Sequence, residues 1–466
     1  MKVVIVGAGG VGFQIAKQLV DENKSVVLIE KDPEKARHAS NYLDCMVIND
    51  EGNNLEVLKR AGIDKADFFI SVTGSDEVNM ISCGLVSSEF NVPFKIARVR
   101  NIDYSHSRIS EQPFLGIDYI VNPEIEAAKA INRTVDHGAV SDIMLFEQTN
   151  VQMRNMTVNG NSPFKNKTLQ EINKSLQIEF LVAVILRENY YIIPSGNTVV
   201  RENDNLYLVA VEENLEKIFA QVGKHKIKFN KIVIVGGGKI GSHVAGHFME
   251  SQESSYKIFD KLIRSFIKKR KRKISIVDKS YERCKLLSER FSAALIINAD
   301  ISDEGIFEEE RLSDYDLLIA TTENQELNIL TAIYAKTFGI KRSIALVRTN
   351  NYVNIATNLG IDVPVSIKNS TINTILKFIR KGNIRSVHSI SGGKVEVIEL
   401  TAKESGRVIG KKIKEIKFPH HSLIIYVTRG KQNIIPSGRF VIQNGDHIIL
   451  ISRKESIEKI EEMFTR

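Results

Sequence analysis

Residues 2–12 read KVVIVGAGGVG, and this stretch decides the fold. An apolar, β-branched run leads into Gly7, Gly9 and Gly12, which is the pattern of a buried parallel strand that meets a helix through a glycine turn. Gly7 permits the tight bend, Gly9 lets the backbone approach a pyrophosphate, and Gly12 lets the helix pack close to the strand. The helix predicted from Val11 to Leu19 presents its N-terminal amides to an anion.

A carboxylate farther along the chain supports a nucleotide at this turn. The next apolar strand, predicted from Val26 to Ile29, ends in Glu30, eighteen residues after Gly12. A carboxylate at this position accepts hydrogen bonds from an adenosine ribose. The alternative is a turn whose glycines serve packing alone. Glu30 favours a ligand, and because an acid disfavours a 2′-phosphate, the sequence predicts NAD(H) or an adenine nucleotide rather than NADP.

The composition is that of a globular protein with several domains. The chain has 466 residues, of which 43% are hydrophobic and 26% are charged, and this length corresponds to roughly three or four domains. No apolar stretch approaches the roughly 20 residues of a membrane span, and no signal peptide precedes the first strand, so we expect a cytoplasmic protein. Cys45, Cys83 and Cys284 lack CxxC spacing and are predicted to be reduced core residues without a metal.

The basic charge is local. The net charge is +8, but residues 251–273 alone contain nine Lys/Arg and two acids, so we do not expect nucleic acid as a partner. Apolar residues from Phe259 to Ile267 recur at helical spacing there and precede KKRKRK at 268–273. Two interpretations stay open: a helix packed on its own domain with a solvated basic tail, or a helix on an anionic membrane surface or membrane partner.

The first part of the chain predicts a doubly wound parallel sheet. Four more strands alternate with amphipathic helices, at Met46–Ile48, Asp67–Val72, Lys95–Val99 and Asp118–Val121. Polar residues follow the strand ends, and such ends share one crevice in an open sheet. Asn122 is predicted as the N-cap of the last helix, ahead of Pro123. Residues 141–222, which contain no His, predict a small α+β module.

The same plan is written twice. KIVIVGGGKIG begins at Lys231, and Gly236, Gly238 and Gly241 each lie 229 residues after their counterparts. The strand-end acid returns as Asp278, Thr322 matches Thr73, and IIPSG recurs. We therefore predict a tandem duplication. The predicted domains are 1–140, 141–222, 229–382 with the basic insert at about 251–273, and 383–466.

Apart from that insert, the whole chain resembles the TrkA family, the cytoplasmic subunits of Trk potassium uptake systems, which are built from two pairs of RCK (also called KTN) domains. The motifs that carry the resemblance are GAGGVG, NDEGNNLEVLKRAGIDKADFFISVTGSDEVN and IARVRN in the first half, and GGGKIG, NADISDEGIF and TTENQELN in the second. The implied fold is α/β: two Rossmann-like doubly wound parallel-sheet domains, each followed by a small α+β module.

The resemblance also implies a function. It implies binding of NAD(H) and ATP or ADP, a homotetrameric ring, a peripheral position on the inner face of the cell membrane, and gating of a Trk-type integral membrane potassium transporter subunit. Two alternatives stay open: a regulator of another membrane cation transporter, and an NAD-dependent dehydrogenase. The dehydrogenase is disfavoured because residues 141–222 supply no His for proton transfer, and because one active site does not require duplication of the whole unit.

The resemblance assigns roles to individual residues. The glycine turns hold phosphates, Glu30 holds a ribose, Glu51 lies near the adenosine, and Arg98 reaches phosphates, with Asp50 left open as a competitor of Glu51. The second half has Leu346 in place of Arg98, so we expect its crevice to lack a fixed cation and to favour a less charged ligand such as NAD. The predicted binding residues are Gly7, Ala8, Gly9, Gly10, Val11, Gly12, Glu30, Glu51, Thr73, Gly74 and Arg98, and then Gly236, Gly237, Gly238, Lys239, Ile240, Gly241, Asp278, Asp300 and Thr322.

Overall fold

The structure is a computed structural model. It describes residues 1–101, 104, 114–136, 138, 143–146, 149–188, 190–222, 229–259, 272–303, 305–379, 384–390, 395–419, 421–430 and 432–465. Residues 260–271 lie outside this set, and with them most of the basic stretch on which the two interpretations of the insert depend.

The first Rossmann-like domain is a six-stranded parallel sheet with the strand order β3-β2-β1-β4-β5-β6. Its strands β1 to β6 are Lys2–Val6, Ser25–Glu30, Met46–Asn49, Phe68–Ser71, Phe94–Arg98 and Tyr119–Val121. Its helices α1 to α5 are Gly10–Asp21, Pro33–Tyr42, Leu55–Arg60, Asp76–Glu89 and Pro123–Asp136. This is the sheet that the opening motif predicts, and the reversal of strand order beside β1 is where such sheets bind ligands.

A small antiparallel module follows. Its strands β7 to β11 are Ile143–Leu145, Val151–Thr157, Leu181–Arg187, Tyr190–Ile192 and Asn205–Val211, paired in the order β10-β9-β11-β8-β7. Its helices are α6 (Leu169–Leu176) and α7 (Glu212–Gln221). Helix α6 begins in a capping box, in which the Thr168 hydroxyl accepts from the Glu171 amide and the Glu171 carboxylate accepts from the Thr168 amide. A sequence that opens with such a box defines its own helix start.

The second Rossmann-like domain repeats the first, with the strand order β14-β13-β12-β15-β16-β17. Strands β12 to β17 are Lys231–Val235, Lys273–Asp278, Leu295–Asn298, Leu317–Ala320, Arg342–Val347 and Val363–Ser366. Helices α8 to α13 are Lys239–Phe259, Tyr281–Arg290, Ile306–Glu309, Gln325–Thr337, Asn350–Asn358 and Ile367–Ile379. The predicted duplication of a doubly wound sheet is therefore confirmed in the structure.

The second small module has the same strand order as the first. Strands β18 to β22 are Ile384–Ile390, Val395–Thr401, Leu423–Arg429, Gln432–Ile434 and His447–Arg453, and helix α14 is Ile457–Thr465. Short 3-10 helices in the chain lie at Ile63–Lys65, Phe114–Gly116, Leu312–Asp314, Ile413–Glu415 and Lys454–Ser456.

The chain forms two compact units, and each unit takes one domain from each half. The first contains Met1–Ser141 with Ile227–Leu376, and the second contains Asp142–Lys226 with Lys377–Arg466. Within the second unit, residues from both small sheets, among them Met153 and Ile451, share one buried core. Both pairs of domains are thus held together by apolar contacts, which stabilise in proportion to the area buried.

Helix α5 packs against the opposite half of the first unit. Asn122 accepts hydrogen bonds from the Glu124 and Ile125 amides at 3.0 and 3.1 Å, as an N-cap should, and Pro123 opens the helix. The buried face of α5, which includes Ile131 and Val135, then joins the core of the second sheet, against α8 and β17. The last helix of the first domain is therefore stabilised by apolar contacts with the second domain.

A buried asparagine in each half ties two strand ends together. The Asn79 Oδ1 atom accepts from the Thr73 amide at 2.8 Å, and its Nδ2 atom donates to the Arg98 carbonyl oxygen at 2.8 Å. Asn328 makes the same bonds to Thr322 and Leu346 at 2.9 Å each. These asparagines fix the loops after β4 and β15 against the neighbouring strands.

The glycine turn has the geometry that its sequence predicts. Gly7 has φ +100°, in the region that favours glycine. A Cβ atom at Gly12 would lie 1.9 Å from the Gly7 carbonyl oxygen, and the same atom at Gly241 would lie 2.0 Å from the Gly236 oxygen. A Cβ atom at Gly9 would meet no neighbour within 4 Å. Contact between strand and helix thus requires glycine at position 12.

We expect Gly12→Ala to destabilise the first domain by about 1–3 kcal/mol, because the turn and α1 must separate to admit the methyl group. Gly9→Ala is the matched control and should unfold close to wild type. Thermal unfolding followed by circular dichroism measures both. Equal midpoints for Gly12→Ala and wild type would contradict the described contact.

Asn79→Ala should cost about 1–3 kcal/mol, because the Thr73 amide and the Arg98 carbonyl oxygen lose a buried partner. The exposed Asn91 on the loop before β5 gives a control, Asn91→Ala, that should stay within about 0.5 kcal/mol of wild type. Urea denaturation of the full chain measures both. A small change in Asn79→Ala would mean that water or a rearranged loop replaces the asparagine.

Candidate nucleotide-binding sites

A cavity of about 520 Å³ lies at the carboxyl ends of the strands in the first Rossmann-like domain. Among the predicted residues, those that line it are Gly7, Gly9, Gly10, Val11, Glu30, Glu51, Thr73, Gly74 and Arg98. Ala8 and Gly12 lie outside the lining: the Ala8 amide bonds to Glu30, and Gly12 packs under the turn. The topology therefore gathers residues from five separate stretches of sequence at one site.

Glu30 is buried at the end of β2 and faces the glycine turn. Only 8% of the residue is exposed, and its carboxylate accepts from the Ala8 amide at 2.5 Å and from the Asp32 amide at 3.0 Å. Backbone donors therefore hold the carboxylate in place, and each oxygen keeps a further lone pair. The remaining lone pairs can accept the hydroxyl groups of a ribose.

Arg98 supplies a buried cation at the end of β5. It is 8% exposed, its Nη2 atom donates to the Thr73 carbonyl oxygen, and its Nε atom has no partner among the described residues. Burial lowers the pKa of Arg98, and the nearby Arg100 lowers it further. Arg98 lines the cavity, and a guanidinium on a cavity wall is suited to an anion such as phosphate.

The two adjacent acids, Asp50 and Glu51, have different partners. Asp50 and Glu51 both line the first cavity, but the Asp50 carboxylate is paired with Arg60, whose Nη2 atom lies 2.5 Å from Oδ2. Asp50 also accepts from the Glu51 amide at 2.9 Å. Glu51 has no ion pair in the described part of the chain. Glu51 is therefore the carboxylate that is available to a ligand.

A second cavity, of about 290 Å³, occupies the matching place in the second domain. The predicted residues that line it are Gly236, Gly238, Asp278, Asp300 and Thr322. The other predicted positions lie outside its lining, namely Gly237, Lys239, Ile240 and Gly241. Ile240 belongs to the apolar core, and Lys239 is exposed at the start of α8.

The expectation that the second crevice lacks a fixed cation is wrong. Arg283 lines this cavity, and its Nη1 atom lies 3.0 Å from Asp278 Oδ2. Asp278 also accepts from the Gly237 amide at 2.7 Å and the Ser280 amide at 2.9 Å. Leu346, the residue at the position that matches Arg98, is buried in the hydrophobic core of the second domain. Arg283 is paired with the strand-end acid and therefore occupies its carboxylate. The matching residue of the first half is Lys35, which lines the first cavity and pairs with Asp32 instead.

The remaining acid of the second cavity is held by its own loop. Asp300 accepts from the Ser302 hydroxyl at 2.6 Å and the Ser302 amide at 3.0 Å, and these hydrogen bonds lower the pKa of Asp300. The Lys279 Nζ atom lies 3.8 Å from the Asp300 Oδ2 atom. Asp300 therefore stays ionised at neutral pH, with less freedom than Glu51 in the first cavity.

Sequence reasoning missed Asn79, Asn328 and Arg283. The two asparagines close the quoted motifs of the two halves, 249 residues apart, so the repeat itself carried the signal. Arg283 follows Asp278 by five residues, at the start of a helix, where nothing in the sequence shows which way it points.

The described residues also bear on two other kinds of site, a metal centre and a membrane span. Among the described residues, no three His, Cys, Asp or Glu side chains are grouped as they would be to hold a metal ion. In the same part of the chain, no helix has the length and apolar character needed to cross a membrane.

Comparison with solved structures shows the fold. A structure titled "GsuK channel bound to NAD" aligns with 100% of this chain and 79% of its own, with a TM-score of 0.54 and 16% identity. One titled "Crystal Structure of the GsuK RCK domain" aligns with 99% of this chain and 94% of its own, also with a TM-score of 0.54 and 16% identity. The fold of the whole chain is therefore shared with these structures.

Comparison of sequences is more specific. Residues 3–123 and 260–367 match the TrkA-N domain, and residues 153–223 and 397–465 match the TrkA-C domain. The chain is 32% identical to Trk system potassium uptake protein TrkA homolog 1 of Methanosarcina mazei, over 100% of both proteins. It is 30% identical to the TrkA protein of Halomonas elongata, over 100% of this chain and 98% of that protein. The relatives are named as potassium uptake proteins and not as enzymes, and the chain belongs to the TrkA family.

Proposed function

We propose that this protein is a cytoplasmic nucleotide-binding subunit that gates a Trk-type integral membrane potassium transporter in response to NAD(H) and ATP or ADP. It would act as a homotetramer, bound peripherally to the inner face of the cell membrane. Its domains would be 1–140, 141–222, 229–382 and 383–466, in the order Rossmann-like domain, small module, Rossmann-like domain, small module.

One observation carries this proposal. A buried strand-end carboxylate faces a glycine turn in both Rossmann-like domains, with the Ala8 amide 2.5 Å from Glu30 and the Gly237 amide 2.7 Å from Asp278. This is the arrangement that binds a ribose and a pyrophosphate. A similar structure is titled as bound to NAD, which supports the same ligand class here.

The first cavity is the better candidate for a highly charged nucleotide. Its Arg98 guanidinium forms no ion pair among the described residues, whereas Arg283 in the second cavity is already paired with Asp278. Asp278 is correspondingly less free to accept ribose hydroxyls than Glu30. We therefore place ATP or ADP at the first cavity and give the second a weaker or less charged ligand.

Regulation explains the architecture better than catalysis does. A ligand changes the shape of a protein only if it binds one conformation more tightly than another. Two binding domains that share a core give a ligand in one domain a route to the packing of the other. A dehydrogenase has one active site, which does not require the Rossmann-like domain and its small module to be present twice. A regulator of a different membrane cation transporter is the alternative, and reconstitution with a Trk-type membrane subunit distinguishes the two. Nucleotide-independent potassium flux in that system would contradict the proposal.

Glu30→Ala should weaken binding of NADH and adenine nucleotides to the first site by about 1–3 kcal/mol, because the ribose hydroxyls lose their acceptor. Isothermal titration of the full chain measures this. Glu34→Ala removes a carboxylate from exposed helix α2 and serves as the control. Wild-type affinity in Glu30→Ala would contradict the assignment, and nucleotide turnover near the typical 1–10³ per second would contradict the regulatory role itself.

Arg98→Ala should reduce ATP affinity more than AMP affinity, because the guanidinium contacts phosphate oxygens rather than the adenosine. We expect the affinity for ATP to fall roughly tenfold or more and the affinity for AMP to change little. Arg98→Lys should recover the charge but only part of the affinity, since lysine lacks the planar fork. Equal losses for both ligands would show that Arg98 acts on the fold of the site.

A further inference from the structure

A lysine from the second Rossmann-like domain lies against the glycine turn of the first. A Cβ atom built on Gly10 would lie 3.2 Å from the Lys368 Nζ atom, 3.3 Å from Cε and 3.6 Å from Cδ. Gly10 lines the first cavity at the start of α1, and Lys368 is the second residue of α13. The absence of a side chain at position 10 leaves the space that the lysine stem fills.

Lys368 has no counter-charge in the described part of the chain. It is half-buried, and neither a hydrogen bond nor an ion pair of its ammonium group occurs among the described residues. Burial lowers the pKa of Lys368, and no carboxylate offsets this effect. An ammonium group that is partly removed from water without a partner is costly, and an anion nearby would remove that cost.

The position has a charge-reversed counterpart in the other half. Lys368 matches Glu124, and Gly10 matches Lys239, in the alignment of the two repeats. The second glycine turn therefore carries its own lysine, while the first turn has none and is approached by a lysine from the other domain. The helices that carry Glu124 and Lys368 also contact each other, since the Thr374 hydroxyl donates to Glu126 at 2.8 Å.

We propose that Lys368 binds the terminal phosphates of a nucleoside triphosphate held at the first glycine turn, so that one ligand contacts both Rossmann-like domains. The inference rests on the proposed nucleotide binding and extends it by naming a residue from the opposite half. Arg98 lines the cavity at the end of β5, and Lys368 lies beside Gly10 at the glycine turn, so the two cations lie on different elements. Two separate cations suit a chain of phosphates more than a single phosphate. The lysine stem, with four rotatable carbons, is long enough to follow the phosphate chain.

Titration of ATP and AMP into the full chain tests this inference. The variants carry Asp278→Ala so that the first cavity dominates the signal. Lys368→Met keeps the apolar stem and removes the charge, and it should lower ATP affinity about tenfold or more while AMP affinity stays within about twofold. Lys368→Arg keeps the positive charge, so its ATP affinity should stay close to that of the parent and above that of Lys368→Met. Lys17→Met removes the same charge from the exposed face of α1 and should change neither affinity.

The possible failures are distinguishable. Unchanged ATP affinity in Lys368→Met would overturn the role of this lysine and leave the proposed function intact. Equal losses for ATP and AMP would also overturn it, because they would show that Lys368 acts only in packing the two domains. Absence of binding by any adenine nucleotide to the parent protein would overturn both proposals.

Discussion

The packing of helix α5 into the core of the opposite domain is the interaction on which the arrangement of both cavities depends. Ile131 and Val135 are almost completely buried among residues of the second sheet, and Asp136 pairs with Arg272 at 3.6 Å. Burial of large aliphatic side chains contributes about 1.5–3 kcal/mol each. The two Rossmann-like domains thus share a hydrophobic core, into which α5 extends from the first domain.

This shared core gives the duplication a physical purpose. Two separate domains could each bind a nucleotide without affecting each other. In this chain, Asn122 caps α5 beside the first cavity, and the same helix ends in the core of the second domain. Under the proposed function, a ligand that shifts the strand ends of the first domain would therefore act on the packing of the second. Allosteric coupling requires that a ligand make different contacts in two states of the protein. Proximity of two sites alone does not produce it.

The two cavities differ in the residue at the end of the fifth strand and in the partner of the strand-end acid. The first keeps Arg98 on β5 and leaves Glu30 to backbone donors, while the second replaces that arginine with Leu346 and places Arg283 on the strand-end acid. An unpaired buried carboxylate binds hydroxyl groups better than one already held by a guanidinium. Under the proposed function, this asymmetry would let one chain respond differently to two ligands, or to one ligand at two concentrations.

The fold and most of the first cavity could be predicted from the sequence, because glycine turns and alternating strands and helices are local patterns. The start of α5 at Pro123 is an example, because the capping residue, Asn122, directly precedes it in the sequence. The partner of α5 could not be predicted. An amphipathic helix shows which face is buried but not which sheet covers it, and for the same reason the approach of Lys368 to Gly10 has no local signal.

Hydrogen exchange of the full chain with and without ATP tests the central claim, that binding at the first cavity is felt across the shared core. The account predicts slower exchange in peptides that cover α13, in the wild type and in Asp278→Ala, and loss of that protection in Glu30→Ala. Protection confined to residues 1–101 in every variant would show that the two domains respond to ligands independently, and would contradict the account.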